Sequence, residues 1–185
     1  MRVPVLIIPG MFNSGPLHWQ SIWESKNADF IRVPQADWDH PVRSEWVAAI
    51  ERTAAAVRRP AVLVAHSLGC LAFAHWALST RLQIASALLV APPDPMGPLF
   101  PDEATGFAPV PLQRFDFASI VVVSSDDPYG SLEYVNRCAS AWGSRLVNIG
   151  PAGHINAASA LGEWREGFAL LDALRAGKEG LAAGG

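Results

Sequence analysis

Ala61-Val62-Leu63-Val64-Ala65-His66-Ser67-Leu68-Gly69-Cys70 is the stretch on which the reading of this chain turns. A short apolar run rich in β-branched residues stops at Ala65. His66, Ser67, Leu68 and Gly69 follow, and then an alanine-rich apolar segment, Leu71-Ala72-Phe73-Ala74-His75-Trp76-Ala77-Leu78. The order predicts a buried strand, a very tight turn with Ser67 at its apex, and a helix. It is one residue away from G-x-S-x-G, the pattern that presents a serine on a strand-to-helix turn. Ala65 stands where the first glycine would. Small residues are needed on both sides of the serine because strand and helix pass close together, and alanine adds one methyl group. The competing reading is a helix start at which Ser67 is only the N-cap. Five residues do not decide between them; the rest of the chain does.

The chain has 185 residues, half of them hydrophobic and 17% charged, with a net charge of −3. That suits a single globular domain over residues 1–175, with a glycine- and alanine-rich tail at 176–185 that is expected to fray. No run of lysine and arginine argues for nucleic acid or an anionic membrane surface. The apolar start, broken by Pro9-Gly10, is too short for a signal-peptide core or a membrane span and reads as a first strand. Cys70 and Cys138 have no metal-type spacing and read as buried thiols, from which a cytoplasmic location is expected.

Strands are expected at residues 3–8, 30–33, 61–66, 84–91, 119–124 and 145–149. Helices are expected at 17–25, 44–57, after Ser67, at 132–142 and at 157–174. Trp19 and Trp23 lie one turn apart on the first helix and read as core. Alternating strands and helices, with nearly continuous apolar strands, predict an α/β fold with a mostly parallel sheet covered on both faces. Residues 92–116 differ in character. They hold Pro92, Pro93, Pro95, Pro98, Pro101, Pro109 and Pro111, and an irregular segment of that length is expected to form a lid or binding loop. Phe100, Phe107 and Leu112 are its candidate substrate contacts.

A serine hydroxyl needs a base to take its proton, and the base needs a partner to hold its tautomer. Ser67 follows one strand, Asp126-Asp127 a later one, and His154 the next, the order Ser…Asp…His. All three fall just past the C-terminal ends of strands, the edge where open α/β sheets form sites. Other histidines fit less well. His66 diverges from its neighbour at a sharp turn. His75 is too far along the helix. His18 and His40 could border the pocket but read as surface or packing residues. Of the two aspartates, Asp127 precedes Pro128, which holds it extended and lets its carboxylate be aimed. Asp126 should then point the other way, toward a turn-closing bond or solvent. Backbone N–H donors for an oxyanion are expected at Leu68 and at Met11 or Phe12, in the loop after the first strand; Phe12 is also a candidate substrate contact. Gly10 and Gly15 lack the Lys-Ser/Thr of a P-loop, and the histidines lack zinc spacing, so no metal or organic cofactor is expected.

The runs P-G-M-F-N-S-G-P-L-H-W-Q-S-I-W-E (9–24), A-H-S-L-G (65–69), S-S-D-D-P-Y (124–129) and G-H-I-N (153–156) resemble the small serine hydrolases related to retinoblastoma-binding protein 9 and bacterial YdeN. The resemblance covers almost the whole chain. It implies a compact α/β-hydrolase fold with no large cap domain, a triad of Ser67, Asp127 and His154, and hydrolysis of esters or amides. The leading expectation is a serine hydrolase of small carboxylic esters, with thioesters and amides within the same reach. Ala65 departs from the glycine usual in the elbow. No L-x-C-x-E motif is present, so binding to a retinoblastoma-type protein is not carried over, and no protein partner is assigned. The alternative is a non-catalytic scaffolding protein on the same fold.

Overall fold

The computed structural model describes residues 2–177. Six strands form one sheet: β1 (Val5–Ile8), β2 (Phe30–Arg32), β3 (Ala61–His66), β4 (Ile84–Val90), β5 (Ala118–Val123) and β6 (Arg145–Asn148). Their order is β2-β1-β3-β4-β5-β6, and every neighbouring pair is parallel. Parallel neighbours need crossovers, and helices supply most of them: α1 (Trp19–Lys26), α2 (Arg43–Val57), α3 (Leu68–Ala77) and α4 (Leu132–Trp142), with α5 (Arg165–Arg175) closing the chain.

The central strands carry apolar residues at consecutive positions because both faces are covered. Leu6, Ile8, Leu63, Ala65, Leu89, Val121 and Val123 pack on one side with Trp46 and Ile50 of α2, Leu71 and Phe73 of α3, and Val135 and Trp142 of α4. Val5, Ile7, Val62, Val64, Leu88, Val90, Ile120 and Val122 pack on the other with Trp19 and Trp23 of α1 and Leu171 and Leu174 of α5. Successive strand residues therefore serve opposite cores, as the period of two requires. Cys70 and Cys138 are free and buried. Among the described residues no helix is long and apolar enough to cross a membrane.

One of the expected elements is corrected. Residues 157–174 are not one helix: a 3₁₀ turn, Ala157–Ser159, is followed by Ala160, Gly162 and Trp164 at positive φ, and only then by α5. The break serves Trp164, whose ring stacks on Trp23 at 5.9 Å and meets Trp19 edge-on at 5.1 Å. Gly167 makes room for it, since a Cβ there would lie 2.3 Å from the Trp164 ring. The segment 92–116 is irregular, as expected, but it is tied down at several points. Thr105 exchanges backbone hydrogen bonds with Pro41 and Arg43 at 2.9 and 3.0 Å, and Phe115 N–H donates to Trp142 O at 3.0 Å. Trp142 Nε1–H donates to Pro111 O at 2.8 Å. Of the tail expected at 176–185, residues 178–185 lie outside the described residues.

Candidate active site

Ser67 stands between β3 and α3 at φ 53°, ψ −127°, a backbone state that side chains other than glycine rarely adopt. The turn is held by the Ser67 N–H donating to Val90 O at 2.9 Å and Cys70 N–H donating to Ser67 O at 2.8 Å. Close packing explains the small residues: a Cβ on Gly69 would lie 2.6 Å from the carbonyl oxygens of Ile8 and Pro9, and one on Gly10 would lie 2.8 Å from Ser67 Cβ. Ser67 holds the N-cap position of α3, as the competing reading expected, but its side chain makes no capping bond. Its hydroxyl lies 2.7 Å from His154 Nε2 instead.

His154 Nδ1 lies 2.9 Å from both carboxylate oxygens of Asp127. The arrangement is satisfied when Nδ1–H donates to the carboxylate and Nε2 accepts from the serine hydroxyl. The Asp127 side chain is 1% exposed and that of His154 11%. Asp127 Oδ1 also accepts the Tyr129 N–H at 3.0 Å across Pro128. Ser67, His154 and Asp127 thus form one hydrogen-bonded chain at the C-terminal edge of the sheet.

The loop carrying His154 bends through Gly153 at φ 58° and Ile155 at φ 48°, and neighbours hold it. Asp126 does not close its own turn. Its Oδ1 accepts the N–H groups of Ala152 and Gly153, each at 2.8 Å, and the Ser124 hydroxyl at 2.6 Å. These bonds draw its pKa below the usual carboxylate range, the Ser124 hydroxyl contributing most. His66 Nε2 lies 2.9 Å from His154 O. Burial keeps the His66 pKa well below its ordinary value, so the ring is neutral and donates this bond. Trp19 Nε1–H donates to Ile155 O at 2.8 Å. His66, expected to be structural, holds the His154 backbone in this way.

Gly10, Met11, Phe12, Ser67, Leu68, Leu99, Phe100, Tyr129, His154 and Asn156 border a cavity of about 430 Å³. The Phe12 N–H donates to Trp38 O at 3.0 Å and is already used. Leu68 opens α3, where backbone N–H groups have no partner within the helix. Of the candidate substrate contacts, Phe12 and Phe100 border the cavity. Phe107 does not: it is 1% exposed, packed in the core, and its carbonyl meets His75 Nε2 at 3.0 Å. Leu112 is 46% exposed and away from the cavity. His18, one of the two histidines expected to be able to border the pocket, does border it, buried, and caps α1. Sequence reasoning passed over Tyr129, whose ring packs 4.6 Å from that of His154. Tyr129 lay within the quoted S-S-D-D-P-Y run, and that was its one visible signal. Among the described residues no group of His, Cys, Asp and Glu side chains is arranged to hold a metal ion.

The sequence profile of the serine hydrolase family matches residues 5–173. A YdeN-like hydrolase from Pectobacterium atrosepticum is 31% identical, with a TM-score of 0.84 over 95% of this chain and 91% of that one. The ydeN gene product of B. subtilis is 19% identical, with a TM-score of 0.75 over 94% of this chain and 99% of that one. A thermophilic esterase from Thermogutta terrifontis shares the fold at 16% identity, with a TM-score of 0.68 over 94% of this chain and 90% of that one. No curated protein sequence gives a significant match. From the profile match and the 31% identical relative, this chain belongs to the serine hydrolase family and is a hydrolase built on the α/β-hydrolase fold.

Proposed function

We propose that the protein hydrolyses small carboxylic esters through an acyl-enzyme on Ser67, with His154 as the base and Asp127 as its partner. The observation that carries this reading is the hydrogen-bonded chain from Ser67 Oγ through His154 to Asp127, opening on one cavity. In the first step Ser67 Oγ attacks the ester carbonyl while its proton passes to His154 Nε2. Asp127 stabilises the imidazolium that forms. The N–H groups of Met11 and Leu68 receive the oxyanion, because the Phe12 N–H is committed to Trp38. The leaving alcohol takes the proton from His154. Water, deprotonated by the same ring, then attacks the acyl carbon, and the carboxylic acid leaves with Ser67 restored. Thioesters and amides present the same electrophilic carbon and fall within the same chemistry. Esterase names among the fold relatives agree with this choice of substrate.

A fluorophosphonate probe and a panel of p-nitrophenyl esters test it. The native protein should label and turn over. Ser67→Ala should do neither and should melt at the wild-type temperature, since only a hydroxyl is removed. Activity retained by purified Ser67→Ala would sink the assignment.

A further inference from the structure

The walls of the catalytic cavity are without formal charge. Among the described residues no lysine, arginine, aspartate or glutamate borders it. The charges near it are used elsewhere. Arg32 pairs with Glu24 at 2.5 Å and holds Asn13 Oδ1 at 2.6 Å from behind the loop. Asp127 faces His154. Asp94 and Asp102 lie on the segment that supplies Leu99 and Phe100, yet neither borders the cavity. The remaining histidines do not supply a cation. Burial, with Arg32 and His154 adding to it, brings the His18 pKa down to about 4, and burial also holds His66 low. What the cavity offers is an apolar wall of Met11, Phe12, Leu99 and Phe100, with the phenol of Tyr129 and the neutral amides of Asn13 and Asn156 beside it. Phe12 is 69% exposed and Leu99 55%, so large apolar side chains stand in water at the mouth. Such exposure is relieved when an apolar chain lies against it.

We infer that the substrates are esters uncharged on both sides of the scissile bond, with an apolar chain that lies against Phe12, Leu99 and Phe100. The inference rests on the esterase reading above. Its physical basis is desolvation. A carboxylate, phosphate or ammonium carried into this cavity loses water and finds no countercharge, whereas an alkyl chain gains by the same transfer. Carboxylate-bearing esters and amides of amino acids with a free ammonium are therefore excluded as good substrates.

Two matched pairs test this. One is the p-nitrophenyl monoester of adipic acid with its methyl ester as neutral mate. The other is p-nitrophenyl 6-aminohexanoate with its N-acetyl mate. Each pair shares a chain and differs in charge. The neutral member should be favoured at least about a hundredfold in kcat/KM in both pairs. Discrimination below tenfold in either pair overturns the inference. Leu99→Lys places a cation at the mouth and should shift the adipate ratio toward the acid at least about tenfold, while shifting the amine pair the opposite way. No shift would mean that Leu99 does not face the bound chain, which also overturns it. Failure of the chemistry is read separately. If wild-type protein cleaves neither neutral ester, calorimetric binding of the same pairs to Ser67→Ala still reports the discrimination. Equal binding of charged and neutral members there overturns the inference whatever the turnover.

Discussion

The two adjacent aspartates do different work, and the difference sets the first prediction at the scale of single residues. Asp127 meets the imidazole, while Asp126 reaches back to the backbone of the loop that carries it. Replacing Asp127 by asparagine keeps the shape but favours the wrong histidine tautomer, a change worth about 10⁴ in turnover in the well-studied protease case. Asp127→Asn should cost at least about a hundredfold here, allowing for an easier ester substrate. Asp126→Asn keeps an acceptor oxygen and should cost far less, whereas Asp126→Ala takes the acceptor from the Gly153 N–H, leaves the Ala152 N–H to Ser124 Oγ alone, and should loosen His154. Kinetics of the three variants on one ester decide the matter; if Asp126→Asn is the worst, the assignment is reversed. His18 gives a second residue-scale prediction. It lies against Trp19 and His66, and the N–H of Gln20 donates to its Nδ1 at 3.1 Å. Its pKa is lowered from 6.5 to about 4, chiefly by burial and further by Arg32 and His154. Between those values the unfolded chain holds more protons than the folded one, so stability rises with pH across that window and is lost on acidification. The full window is worth about 3 kcal/mol for this one group. Melting temperature should therefore fall from pH 7 to pH 5. His18→Asn, which can still cap α1, should flatten that slope; an unchanged slope would assign it to other groups.

At the scale of elements, the turn between β3 and α3 shows what the motif encodes and what it leaves free. Ala65 is buried in the core with its Cβ accommodated, while Gly69 faces two carbonyl oxygens at a distance no Cβ tolerates. Gly69→Ala should therefore destabilise by about 3 kcal/mol, the upper end of the usual range for overpacking. Ala65→Gly should cost only about 0.5–1 kcal/mol in backbone entropy. Denaturant melts of both variants check the asymmetry. The strands and this turn were legible because burial on two faces and close packing leave marks in residue type. The break before α5 was not. Gly162 was the one visible sign, and the left-handed backbone at Ala160 and Trp164 has no signature in residue type. It is stabilised by the Trp19–Trp23–Trp164 cluster, which exists only once the fold has formed. Periodicity alone therefore joined a 3₁₀ turn and a helix into one.

At the scale of the whole molecule, residues 92–116 connect the cavity with the core behind it. Proline content announced an irregular segment, and that much was legible. Which of its apolar residues would face substrate was not, because an irregular chain has no period to sort one face from another. The fold sorts them three ways. Phe100 borders the cavity beside Ser67, Phe107 is buried edge-on against Trp46 at 6.1 Å, and Leu112 stands in solvent. Since the segment is bonded to α2, α3 and α4, a change at one of these positions need not be felt at the others. Three alanine variants should therefore separate cleanly. Phe107→Ala empties a core site and should lower stability by about 3–5 kcal/mol. Leu112→Ala should stay within about 0.5 kcal/mol of wild type and leave substrate preference alone. Phe100→Ala should change the preference among p-nitrophenyl esters of increasing chain length while melting near the wild-type temperature. The measurements are thermal melts and the ratio of kcat/KM for long over short acyl chains. Loss of preference in Phe107→Ala at a melting temperature well above the assay would mean that the core position shapes the cavity indirectly. An unchanged ratio in Phe100→Ala would remove that residue from the substrate's path and make residues 92–116 scaffold alone.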